Sequence, residues 1–254
     1  MTRHAMSRRE ALKCLGGTAA ALALGTIPNT QAAAPAAAPA AAPTAGRRLR
    51  VLLFNGSPHP RGCTFTALSE IAAALTAEEI DTEIFQLGTQ PIAGCIGCGA
   101  CRKSGRCFRQ DAVNEIIDRI DEFDGFVFGS PVHYAAASGA ATSFFDRLFY
   151  AAGHKFAGKP GACAVSCRRA GSTAALEQLN KYMIISNMPL VPSQYWPMVH
   201  GNRPEEVRQD LEGLQIMRQL GNNMAWLLKC LEAGRNAGIR RRVETPRIST
   251  NFIR

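Results

Sequence analysis

The chain has 254 residues, 46% of them hydrophobic, and a formal net charge of +9. That is enough for one sizeable core, and one folded domain is expected. The charge lies at the ends: residues 1–46 carry a net +3 and residues 235–254 a net +5, which leaves a body of +1. A nearly neutral body with basic ends argues against nucleic-acid binding, and Arg240-Arg241-Arg242 reads as a solvated or subunit-contacting tail.

Residues 1–33 read as an export signal. Arg8-Arg9 precedes an apolar, Ala/Gly-rich stretch over 14–27, followed by small residues near Gln31-Ala32-Ala33. The paired arginines resemble a bacterial twin-arginine signal, although Ala11 stands where an aromatic is usual. The apolar stretch is too short to span a bilayer. An exported, periplasmic protein with no stable membrane span is therefore expected. Residues 34–46 are nearly all Ala and Pro, a linker with little to bury. The body is expected over 47–233 and a basic tail over 234–254.

Within the body, strand and helix patterns alternate. Residues 51–55 form an apolar run, the first strand. Thr64, Phe65, Leu68, Ile71, Ala72 and Leu75 recur at helical spacing. Residues 82–87 alternate as a second strand, and Val113, Ile116, Ile117 and Ile120 give a second helix. A third strand is expected at 126–128, and a third helix is carried by Phe144, Phe145, Leu148 and Phe149. A fourth strand at 162–167 precedes a helix carrying Leu176, Leu179, Met183 and Ile184. A short fifth strand is expected at 189–191, before one long helix running from Val207 to Leu231. The rhythm implies an α/β fold with a parallel sheet covered on both faces. Five strands fit a flavodoxin-like doubly wound sheet of order 2-1-3-4-5.

Two of the strands end in the same tripeptide, Gly56-Ser57-Pro58 and Gly129-Ser130-Pro131. Ligands of open α/β sheets bind beyond the carboxyl ends of the strands, so the repeat suggests one ligand held from two sides. The first loop leads into a helix start, where free amides and the macrodipole favour an anion. Ser57 and Thr64 add hydroxyls there, and His59 and Arg61 add positive charge. No Gly-Lys-Ser/Thr follows, and G-x-G-x-x-G is absent, so neither the Walker loop nor the dinucleotide fingerprint applies. The second loop, through Val132, His133 and Tyr134, can line a flat heterocycle. A third, Arg168-Arg169-Ala170-Gly171-Ser172, puts two arginines at a strand end, where they can stabilise negative charge on a reduced ring or bind a phosphate.

Cys95-x2-Cys98-x2-Cys101-x5-Cys107 follows the second strand, among Gly94, Gly97, Gly99 and Gly105. Its position there suggests the same sheet edge as the three loops. Four thiolates at this spacing suit a [4Fe–4S] cluster, a tetrahedral zinc, or, in an exported protein, disulfides or free thiols. Cys163, Cys167 and Cys230 read as core residues.

The three loops, in this order, resemble the NAD(P)H-dependent FMN reductases of the flavodoxin-like superfamily, including their iron–sulfur flavoprotein branch. The resemblance covers about residues 50–231, and Thr250-Asn251-Phe252-Ile253-Arg254 is also similar to family endings. It implies FMN, with its phosphate on Ser57, His59 and Thr64. Cys63 stands where relatives often carry Asn. It implies that Pro131, Val132, His133 and Tyr134 line the isoalloxazine, and that Arg168, Arg169 and Gly171 form the third wall, with the arginines as catalytic residues. It also implies Cys95, Cys98, Cys101 and Cys107 as cluster ligands, NAD(P)H as co-substrate, a flavin, quinone, other small-molecule or protein electron acceptor, and a homodimer or homotetramer to which Tyr195 and Trp196 could contribute apolar surface. Two further readings stay open: an iron–sulfur electron carrier that does not use NAD(P)H, and an exported metal-binding module.

Overall fold

The computed structural model describes residues 47–245 together with Ile248, Thr250 and Phe252. The expected signal and linker, and parts of the carboxyl-terminal tail, lie outside the described residues. The elements are β1 (Arg50–Asn55), α1 (Cys63–Ala77), β2 (Asp81–Gln86), α2 (Cys101–Ser104), α3 (Ala112–Arg119), β3 (Gly125–His133), β4 (Ala136–Ala137), α4 (Gly139–Ala152), β5 (Gly161–Cys167), α5 (Ser172–Ile185), β6 (Met198–His200), α6 (Pro204–Val207) and α7 (Leu211–Asn236).

Five strands run parallel in the spatial order β2-β1-β3-β5-β6, and β4 pairs antiparallel with the end of β3. The doubly wound parallel architecture matches the expectation, but the sheet has six strands rather than five. The additional one closes a hairpin whose two turn residues, Tyr134 and Ala135, both sit at positive φ (49° and 58°). Such turns normally advertise themselves with Asn or Gly, and this one does not.

The fifth parallel strand is also displaced. Only an isolated bridge joins Gly161 to Leu190, and the paired strand is Met198–His200, opposite Val165–Cys167. Between the two, Pro192 and Pro197 lack the N–H a ladder needs, so the edge leaves the sheet and returns. The long final helix is two: Val207 ends α6, and α7 starts after Asp210, whose carboxylate accepts from the Gly213 N–H at 2.9 Å. It runs to Asn236, three residues past the boundary expected at 233.

Alternation along the central strands divides the core. Leu52 and Phe54 of β1 pack with α3, α4 and α5, in a face rich in phenylalanine. Val51 and Leu53 pack with α1, α6 and α7. β5 is buried at every position, as a strand covered on both faces must be. This rigid centre fixes the carboxyl ends of β1, β3 and β5 side by side.

Candidate flavin and cysteine sites

The second Gly-Ser-Pro is not a loop after a strand ending at 128: Gly129-Ser130-Pro131 lie within β3, paired with β5 as far as Pro131, and the chain turns only at Tyr134 and Ala135. Gly56 and Gly129 let the first loop touch this segment. The Gly56 N–H donates to the Gly129 carbonyl at 2.9 Å. A Cβ on Gly56 would lie 2.7 Å from that carbonyl oxygen, and one on Gly129 would lie 2.7 Å from the Phe54 oxygen. The serines brace the two segments from inside. Ser57 Oγ accepts from the His59 N–H at 3.1 Å, and Ser130 Oγ accepts from the Ser138 N–H at 2.9 Å. Buried Ser138 then caps α4 and donates its hydroxyl to the Gly56 carbonyl at 2.8 Å, tying the two segments together. Asn55 and Gln86 complete the frame: Asn55 Nδ2 donates to Gln86 Oε1, and Gln86 Nε2 to the Ser57 carbonyl at 2.7 Å. Neither Ser138 nor Gln86 was picked out by sequence reasoning. Ser138 shows only the signal of a serine preceding an apolar-periodic run.

The helix start that receives the first loop is open. Gly62 is the N-cap of α1 and supplies no side-chain cap, and the first turn holds no acidic residue. Its first amides lack intrahelical acceptors, and exposed His59 and Arg61 stand beside them. Thr64 is buried and shares a 2.8 Å hydrogen bond with Ser166 on β5, so its hydroxyl faces the sheet and its amide faces the loop. Cys63 is half-buried, with its thiol directed to the Gly201 carbonyl at 3.6 Å. Burial, with a smaller contribution from Glu206 and Glu205, pushes its pKa up.

The third loop closes against the hairpin. Gly171 sits at φ 87°, and a Cβ there would come within 2.4 Å of the Ala135 Cα and 3.0 Å of Val132 Cγ1. Pro131 and Val132 are half-buried, and His133 and Tyr134 are exposed. Arg168 and Arg169 are exposed, and among the described residues neither pairs with a carboxylate. The three loops therefore form one rim of backbone amides, an exposed aromatic ring and unpaired positive charge. Such a rim suits a ligand with an anionic tail and a flat ring that becomes negative on reduction.

The four expected cysteine ligands are brought together. All four line one hollow, with Ile96, Phe108, Arg109, Arg147 and Tyr150. It lies along the flank of α4. Residues 87–100 form no helix or strand and run beside α4: Gly94 faces Ser143, and the Cys101 thiol is directed to the Tyr150 carbonyl at 3.8 Å. At 1.5 Å per residue, this spans roughly 8–18 Å from the start of α4. Gly97, Gly99 and Gly105 take positive φ, which allows the tight wrap.

Cys107 is the most firmly held of the four. Its N–H donates to Asn114 Oδ1 at 2.9 Å, and Asn114 Nδ2 returns to its carbonyl at 2.9 Å. Arg147 Nε donates to its sulfur at 3.3 Å. Arg109 also lines the hollow, and its Nε is buried with no hydrogen-bond partner among the described residues. Four soft donors with two guanidinium groups and an apolar rim suit an anionic iron–sulfur cluster. Among the described residues, no three Cys, His, Asp or Glu side chains converge on a single-ion position.

The remaining cysteines separate by environment. Burial pushes the Cys163 thiol up to about 12 and raises Cys167 as well. Cys230, expected in the core, is exposed: Met224, Ala225 and Leu228 take the buried face of α7, and Cys230 falls on the other. Cluster-free native protein treated with iodoacetamide at pH 8 is expected to label at Cys95, Cys98 and Cys230. Cys163, with a thiolate fraction of about 10⁻⁴ at that pH, should label only after unfolding. Native labelling of Cys163 in a peptide map would contradict its buried environment.

The profile of the family described as NADPH-dependent FMN reductase matches residues 49–203. The chain belongs to this family. A curated relative, an iron–sulfur flavoprotein of Methanocaldococcus jannaschii, is 31% identical over 193 residues, covering 72% of this chain and all of that protein. An iron–sulfur flavoprotein of Methanosarcina thermophila is 23% identical over 194 residues, covering 74% and 100%. Among solved structures, a flavone reductase aligns with a TM-score of 0.58 at 15% identity, covering 72% of this chain and 64% of that one. RosB with a bound 8-demethyl-8-formylriboflavin-5′-phosphate aligns at 0.53 and 16%, covering 81% and 96%. A flavodoxin from the domain Archaea aligns at 0.50 and 15%, covering 71% and 99%, and shows the flavodoxin-like fold. Membership of the family makes this an FMN-binding oxidoreductase, and no helix of the described residues is long and apolar enough to cross a membrane.

Proposed function

We propose that the chain is an FMN-dependent oxidoreductase with a second redox site, in which the three loops hold FMN and Cys95, Cys98, Cys101 and Cys107 hold an iron–sulfur cluster. The observation that carries this reading is the single hollow that gathers all four cysteines with Arg109 and Arg147. When bound, FMN supplies hydride acceptance and one-electron release, and a cluster supplies one-electron capacity. The protein's part is placement. The open start of α1, with Ser57, His59 and the Thr64 amide, receives the phosphate. Pro131, Val132 and Tyr134 flank the ring. Arg168 and Arg169 offset the negative charge of the reduced state. NAD(P)H as the electron source is supported by the family to which the chain belongs, and the exposed side of Tyr134 leaves room for a nicotinamide. Arg8-Arg9 supports export to the periplasm, and exposed Tyr195 and Trp196 support a homodimer or homotetramer.

A visible spectrum of the protein purified without oxygen, before and after NADPH, tests the reading. Flavin bands with a broad iron–sulfur shoulder, both bleaching on addition, are expected. Flavin bands alone that bleach would leave a simple NAD(P)H reductase, and a colourless protein would leave a metal-binding module. In the same titration, Arg169→Ala is expected to slow bleaching about tenfold or more while retaining FMN, since it acts on the charged reduced state. Equal loss of FMN and rate would assign Arg169 to binding only.

A further inference from the structure

We propose that Arg147 is the positioning residue of the four-cysteine centre, fixing Cys107 and raising the centre's affinity for an electron; this rests on the iron–sulfur reading above. Arg147 is 2% exposed, in the middle of α4 among Phe144, Phe145, Leu148 and Ala151. A guanidinium is charged at every accessible pH, and burying one is costly unless each donor finds a partner. Nη1 and Nη2 form a fork with Asp111, at 2.7 and 2.8 Å. Asp111 is itself fixed, since it caps α3 by accepting from the Val113 N–H at 3.1 Å.

That fork orients the remaining donors. Nη1 also reaches the Ala93 carbonyl at 3.3 Å, two residues before Cys95, and Nε reaches the sulfur of Cys107. One side chain thus spans both ends of the cysteine segment. A residue needed only to neutralise Asp111 would not have to be buried, because the Asp111 side chain is 39% exposed. The burial is explained by what Nε touches. An N–H donor and a fixed positive charge at a ligand sulfur favour the more negative, reduced state, and so raise the reduction potential.

The test uses the full chain reconstituted anaerobically with iron and sulfide, with Arg147→Lys and Arg147→Gln beside it. Iron and sulfide are counted, and the reduced fraction is followed by electron paramagnetic resonance during a redox titration. At the wild-type midpoint, Arg147→Gln is expected to lower the reduced-to-oxidised ratio at least tenfold, a shift of 59 mV for one electron. Arg147→Lys keeps a buried cation for Asp111, and with it the fold, but lacks the planar fork; its midpoint should fall by a smaller step. A folded, FMN-loaded variant that loses iron also supports the positioning role. Iron-loaded variants with an unchanged midpoint overturn the inference. A wild-type chain that takes up no iron overturns the reading beneath it as well, so the two failures are told apart by the iron count.

Discussion

Gly129→Ala is expected to cost roughly 2–4 kcal/mol of stability and to release FMN. The added methyl would meet the Phe54 carbonyl oxygen at 2.7 Å and the Leu68 methyls at 2.8 and 3.0 Å. Leu68 can turn, but Phe54 cannot retreat, because its own strand is paired on both sides, to β2 and to β3. The relief must come from parting β1 from β3 where the first loop meets β3. The Gly56 to Gly129 hydrogen bond and the Ser138 tie to Gly56 are then strained together. In the proposed site these contacts set the spacing between the loop assigned to the phosphate and the segment assigned to the ring, so FMN retention should fall further than stability alone would predict. Gly139→Ala is the matched control. It sits at the first position of α4 with nothing within 4 Å of an added Cβ, and should leave stability unchanged or raise it slightly. Thermal denaturation and released flavin, measured on both variants, decide the matter. A Gly129→Ala protein that melts like the wild type and keeps FMN would mean the two segments are not held at contact distance.

The parts legible in the sequence were those whose cause is local. β1, β3 and β5 are apolar without alternation because both faces are covered, and α1 shows its buried Leu68, Ile71 and Leu75 at helical spacing. The Gly-Ser-Pro repeat marked two segments that do meet, but only the first is a loop, and the second continues β3. What stayed hidden depends on partners distant in the chain. The hairpin at Tyr134 and Ala135 is held by Gly171, which leaves no room for a side chain beneath it. The fifth strand followed the apolar residues around Leu190, but pairing resumes only after Pro197. Cysteine spacing marked four residues that share one hollow, but not the flank of α4 that they line, because residues 87–100 carry no period to orient them. Arg147 was overlooked because charge is expected outside, yet it lies three residues after Phe144 and four before Ala151, on the buried face of its helix. A charged residue at an apolar-face position was the available signal.

Cys98→Ala is expected to abolish iron binding and cut electron delivery to a one-electron acceptor at least a hundredfold, while FMN stays bound. Cys98 is exposed, and its flanking residues Gly97 and Gly99 take φ of 66° and 72°. The loop's path is therefore set by the glycines, and among the described residues the Cys98 thiol makes no hydrogen bond. Its loss should change stability by no more than about 0.5 kcal/mol. The flavin loops lie beyond the start of α4, about two turns from Arg147, and among the described residues no hydrogen bond joins residues 93–107 to them directly. That separation makes the variant informative. If Cys98→Ala loses iron, keeps FMN, and still oxidises NADPH at the wild-type rate with a two-electron acceptor, the flavin site works alone and the cysteine centre serves only one-electron partners. If both activities vanish with FMN retained, the route from flavin to acceptor runs through the cysteine hollow. Unchanged one-electron delivery would remove the cysteines from that route.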